Sequence, residues 1–194
     1  MRGLLAATVL VMACGGAAQP SSTLPVRTAP AAAAATVTRT VAPTAALPCP
    51  DGPPVTKATI DLEKGGTIII QLRPDKARCT VANFAKNARD GKYDGLIFHR
   101  VEPTFVIQGG DPTGTGGGGG DQATELSDLP FTKGSVGVAR AGNIRISNLM
   151  QFYVCIGPCG HLTGQYTNFG QVTSGQEIAD AVKIGDKIKT IRIE

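Results

Sequence analysis

The residues best suited to do chemistry lie between Leu96 and Asp111, in the run LIFHRVEPTFVIQGGD. Arg100 is charged at any accessible pH and carries its N–H donors in a planar fork. Alternation puts Leu96, Phe98 and Arg100 on one face, with Ile97, His99 and Val101 on the other. The cation is thus in line with bulky apolar groups. A donor so placed can favour a species that gains electron density, with no proton transfer and no covalent step. Taken alone, Arg100 is equally an exposed charge or half of a salt bridge, and Phe105, Tyr153 and Leu162 are ordinary core residues. His99 reads as a hydrogen-bonded structural ring. Cys155, Cys159 and His161 lack a clear fourth metal ligand, so no metal is expected. Gly114 to Gly119 fits G-x-G-x-x-G, but no strand–turn–helix unit surrounds it, so no nucleotide cofactor is expected either.

Short β-rich runs must position these groups. Ala58–Leu62 and Thr67–Leu72 are joined by Glu63-Lys64-Gly65-Gly66, a hairpin signal. Val81, Phe84, Ala85 and Ala88 recur at helical spacing ahead of Gly91. Leu96–Val101 and Phe105–Ile107 are strands turned at Glu102-Pro103, and the glycine-rich stretch Asp111–Asp121 must be a loop. Val136–Ala139, Gln151–Ile156, Thr167–Val172 and Lys187–Ile193 are further strands, and Ser174-x-x-Glu177 is a capping box opening a helix through Val182. Eight strands and only two helices argue for a mainly β domain, a closed eight-stranded antiparallel barrel capped by two α-helices.

At 194 residues and a net charge of +4, the chain suits one domain with extensions. Basic residues are scattered among acidic ones, so no nucleic-acid partner is expected, and the chain reads as a monomer. Arg2 precedes an apolar run ending in Val11-Met12-Ala13-Cys14. Residues 1–13 read as a signal peptide, too short to span a bilayer. The small residue before Cys14 suits lipidation of that cysteine, which resembles a bacterial lipobox. Residues 14–54 are Ala-, Pro- and Thr-rich and bury too little to order themselves, so they read as a tether with a reach of roughly 35 Å. That leaves 55–194 for function, on a protein exported and anchored to an envelope membrane. Cys49, Cys79, Cys155 and Cys159 allow three pairings in such a compartment, of which 49–79 with 155–159 is put first.

The pattern FHRV-x-P-x-F-x-x-QGGDP at 98–112 resembles the signature of the cyclophilins, peptidyl-prolyl cis-trans isomerases. The resemblance runs from about residue 57 to the C-terminus and implies the same barrel of eight strands and two helices. It implies catalytic roles for Arg100, Phe105 and Gln108 beside an apolar proline pocket, with Val106 where methionine is common. Val136–Gly142 is similar to the family's L-S-M-A-N-A-G segment, which places Ala139 in the substrate groove and Arg140 where asparagine is frequent. Gln151-Phe152-Tyr153-Val154 is similar to Q-F-F-I: Gln151 would hold the peptide, and Tyr153 adds a hydroxyl to a pocket phenylalanine. His161-Leu162-Thr163-Gly164 is similar to W-L-D-G, with His161 at the rim and Leu162 in the wall, while Tyr166 replaces a histidine. The partners so implied are proline-containing polypeptides, and no cofactor is needed. The expected function is X–Pro isomerisation as a folding aid in the cell envelope. A non-catalytic peptide-binding or chaperone module on the same scaffold is the alternative.

Overall fold

The computed structural model describes residues 49–194. The expected signal peptide, Cys14 and most of the tether fall outside the described residues. Among the described residues no helix is long and apolar enough to cross a membrane.

The eight expected strands form one antiparallel sheet. They are β1 (Lys57–Leu62), β2 (Thr67–Leu72), β3 (Phe98–Glu102), β4 (Val106–Gly109), β6 (Ser135–Val138), β8 (Phe152–Cys155), β9 (Asn168–Ser174) and β10 (Ile188–Ile193). Their order is β10-β1-β2-β9-β6-β8-β4-β3. Two strands that lack alternation in sequence, β5 (Asp121–Ala123) and β7 (Ile146–Asn148), pair with each other in a separate ribbon.

The expected closed barrel is corrected to an open, curled half-barrel. No ladder joins β3 to β10; their ends meet at an isolated Ile97–Lys187 bridge. Phe98 N–H donates to Asp186 O at 2.8 Å and Ile188 N–H to Leu96 O at 2.9 Å. Past Phe98, β3 pairs only with β4, so the seam is stitched at one end only.

Inside the curl, Ile60, Ile68, Ile70, Phe98, Ile107, Val136, Phe152, Val154 and Phe169 form the main core. α1 (Arg78–Arg89) buries Val81, Phe84, Ala85 and Ala88, the stripe its spacing predicts. Its first turn has no side-chain cap of its own; instead the Glu125 carboxylate accepts from Cys79 N–H (3.0 Å) and Thr80 N–H (2.7 Å). α2 is shorter than expected, Gln176–Asp180. The capping box does not form: Ser174 remains in β9, and Gly175, at φ 80°, occupies the N-cap without a side-chain bond. A Cβ at 175 would strike the Thr67 carbonyl, so the close approach of β2 selects glycine and excludes the box.

Candidate active site

On β4 and β8, alternation sends Ile107, Phe152 and Val154 inward and Val106, Tyr153 and Cys155 outward. The outward set, with Phe131, Cys159 and Leu162, makes a second apolar cluster on the sheet's outer face, against which Phe105 and Tyr166 pack. A 3-10 turn at Gly160–Leu162 brings His161 and Leu162 over this cluster. The result is a shallow cleft of about 380 Å³ that includes Arg100, Phe105, Val106, Gln108, Tyr153 and Leu162 in its lining. Ala139, Arg140, His161 and Tyr166 of the expected set also border it, together with Gln165.

Arg100 reaches the cleft by a device the alternation does not predict. Phe98 pairs with Gly109 and Arg100 with Gln108, so His99 is an extra, bulged residue. Strict alternation would hold Arg100 on the face of Phe98, which is fully buried. The bulge returns Arg100 to the outer face, correcting the expectation that the two share one. Arg100 Nη1 donates to Gln108 Oε1 at 3.1 Å. Gln108 Nε2 donates to Gln151 Oε1 at 2.9 Å, and Gln151 Nε2 donates to the carbonyls of Gly116 (3.0 Å) and Gly118 (2.7 Å). The guanidinium therefore ends a relay anchored in the glycine loop. Its Nε lies 3.4 Å from Glu102 Oε1, a pair whose side chains are 44% and 52% exposed.

Gln151 does not enter this cleft. It is 2% exposed and lines an adjoining one of about 420 Å³, which shares Gln108, Ala139 and Arg140 with the first. Ala139, just past the end of β6, has both backbone groups taken, its N–H donating to Gln151 O at 3.0 Å and its carbonyl accepting from Asn148 N–H at 2.7 Å. His161 stacks on Phe105, with centroids 5.2 Å apart and planes at 28°. Tyr153 is sandwiched between a stacked Phe131 (5.9 Å) and an edge-on Tyr166 (6.0 Å). His99 is not hydrogen-bonded as expected: both ring nitrogens are buried without a partner among the described residues. Burial holds its pKa below the ordinary histidine range, with Asp111 opposing and Arg100 assisting.

Both disulfides put first from the sequence are present, Cys49–Cys79 and Cys155–Cys159. The second joins the very sulfurs that a Cys155, Cys159, His161 metal site would use.

Phe131, Gln165 and Asp111 were not singled out from the sequence. Phe131 sits in an irregular stretch with no periodicity to betray it. Asp111 had a usable signal, a threonine two residues on, typical of a side chain that folds its own turn. Asp111 accepts from Thr113 N–H at 2.9 Å and Thr115 N–H at 3.0 Å. Burial raises its pKa, but the donors at Thr113, Gly116 and Gly118 outweigh burial and hold the carboxyl below its usual range.

A family profile described as cyclophilin type peptidyl-prolyl cis-trans isomerase/CLD matches residues 58–194. Peptidyl-prolyl cis-trans isomerase B of Bacillus subtilis is 46% identical over 137 residues, covering 69% of this chain and 94% of that protein. A peptidyl-prolyl cis-trans isomerase of Synechococcus elongatus is 42% identical over 143 residues, covering 72% and 97%. Among solved structures, a Cryptosporidium parvum cyclophilin superposes with a TM-score of 0.66 at 26% identity, covering 73% of this chain and 98% of that one. The same protein crystallised in the presence of the dipeptide Ala-Pro gives a TM-score of 0.65 at 27% identity, covering 71% and 98%. The half-barrel, the outward cleft and these relatives agree: the chain belongs to the cyclophilin-type peptidyl-prolyl cis-trans isomerases, and X–Pro isomerisation is its activity.

Proposed function

We propose that Arg100 supplies the catalysis, in the cleft it shares with Phe105 and Gln108, and that the substrates are exported polypeptides folding at an envelope membrane. The observation that carries the first part is the relay Arg100–Gln108–Gln151, which holds a cation at the edge of an apolar cleft.

Amide resonance sets an X–Pro barrier of about 18–20 kcal/mol. Uncatalysed exchange takes roughly 10–100 s, so about ten turnovers per second require only some 3–4 kcal/mol of differential stabilisation. Half-way through rotation the prolyl nitrogen regains its lone pair and accepts a hydrogen bond that it refuses when planar. A guanidinium donor aimed at it contributes about 1.5–3 kcal/mol, and only in the twisted state. Nη2 of Arg100 has no partner among the described residues, which leaves it for this task. The exposed pair with Glu102 is worth about 0–1 kcal/mol and does not withhold the cation. Val106, Tyr153 and Leu162 hold the proline ring against an apolar floor, which suits the less dipolar twisted amide. Phe105 and the stacked His161 wall the rim. The Ala-Pro dipeptide present with the Cryptosporidium relative supports a proline ligand of this kind.

Arg100→Ala is expected to lower kcat/KM on a short X-Pro peptide by about 10- to 150-fold while leaving the unfolding midpoint nearly unchanged, since the side chain is exposed. Full activity in the variant removes Arg100 from the mechanism. Proline-peptide binding without acceleration by the unaltered protein would favour the non-catalytic module. The anchoring reading rests on Val11-Met12-Ala13-Cys14. A labelled fatty acid should enter the full chain in a bacterial host and be lost in Cys14→Ser; label retained by that variant refutes it.

A further inference from the structure

The groove carries a second cation, Arg140, that forms no ion pair among the described residues. Its side chain is fixed on three sides. Nε donates to Gln165 O at 3.0 Å, Nη1 donates to Ala141 O at 2.9 Å, and the guanidinium carbon lies 4.4 Å from the centre of the Tyr166 ring. Among the described residues no carboxylate lies within ion-pairing distance of it, whereas Arg100 has Glu102. Asp121, which also lines the adjoining cleft, forms no ion pair with it. Arg140 also borders both clefts, so a peptide whose proline occupies one and whose neighbouring residues occupy the other must pass it.

Resting on the isomerase reading, we propose that Arg140 determines substrate preference: it selects X-Pro segments carrying an aspartate or glutamate beside the X-Pro pair, on the flank that runs into the adjoining cleft. The physical case is preorganisation. An exposed arginine gains little from an ion pair because it must first surrender its side-chain freedom. Here two backbone carbonyls and an aromatic face have already ordered the guanidinium. Its Nη2 makes no hydrogen bond among the described residues, so a carboxylate gains a charge-assisted bond without breaking one.

The test is a set of blocked peptides identical except for Glu, Gln or Lys at one position on either flank of X-Pro, with kcat/KM and Kd both measured. The unaltered protein should rank Glu above Gln above Lys on one flank, with about a two- to fivefold step at low salt that shrinks as salt is added. Arg140→Glu should reverse the order, and Arg140→Gln should flatten it. Equal values for the three peptides on both flanks, or an order that survives Arg140→Glu, overturns the proposal. Loss of turnover on every peptide with the ranking kept in Kd would instead count against the isomerase reading alone.

Discussion

At Tyr153 a hydroxyl is buried under the proline cleft with no partner among the described residues. Burial, aided by Tyr166 and opposed by Arg140, pushes its pKa well above the ordinary tyrosine range, so it stays protonated. An orphaned buried donor costs about 1–3 kcal/mol, while the gap left by deleting one oxygen costs less than 1 kcal/mol or so. The ring itself is held by Phe131 and Tyr166 and does not depend on the hydroxyl. Tyr153→Phe should therefore raise the unfolding free energy by about 1 kcal/mol, read as a higher denaturant midpoint at unchanged slope. A lower midpoint would mean the hydroxyl is satisfied in solution. Gly137 belongs to the same local problem: a Cβ there would run into the Tyr153 ring, so the residue facing the tyrosine has no side chain.

Among elements, β3 decides the site, and its decisive feature was the least legible. The run FHRV has the alternation of a plain strand, yet the bulge at His99 is what turns Arg100 outward. Nothing in the residue types marks the extra residue, because bulges arise from pairing with a distant strand. By contrast, the α1 stripe, the Glu63–Gly66 hairpin and the eight main strands followed from local period and turn chemistry alone. The cleft members on β4, β8 and the 3-10 turn were legible through motif. Phe131, far from all of these in sequence and brought to the cluster only by chain folding, was not.

The bulge also has a pH signature. The unfolded His99 titrates near 6.5, and burial lowers the folded value. Between the two values the unfolded chain binds more protons, so the His99 contribution favours folding above the unfolded pKa and is lost as pH falls through that window. The thermal midpoint of the unaltered protein should drop between pH 7 and pH 5 by more than that of His99→Gln, which carries no titrating ring. Equal drops would place the imidazole in water.

For the whole molecule, the question is what holds an open half-barrel in shape, and the two disulfides answer it differently. Cys49–Cys79 spans 30 residues and ties the segment before β1 to the start of α1. Cys155–Cys159 spans only 4 residues, with Cys159 Sγ 3.6 Å from the Phe105 carbonyl, and it joins β8 to the turn bearing His161 and Leu162. Chain entropy alone gives the long link about 3–4 kcal/mol and the short one about 2 kcal/mol. Their catalytic weights should run the other way, because neither Cys49 nor Cys79 lines the cleft, whereas the short link fixes its wall. Replacing Cys49 and Cys79 by alanine should cost the larger unfolding free energy and leave kcat/KM within about twofold. Replacing Cys155 and Cys159 should cost less stability yet lower kcat/KM about tenfold, chiefly through KM, as the wall that seats the proline loosens. Denaturant unfolding and peptide kinetics on the two double variants read both quantities. If the same pair dominates stability and turnover alike, the division between a link that holds the fold and one that holds the cleft is wrong.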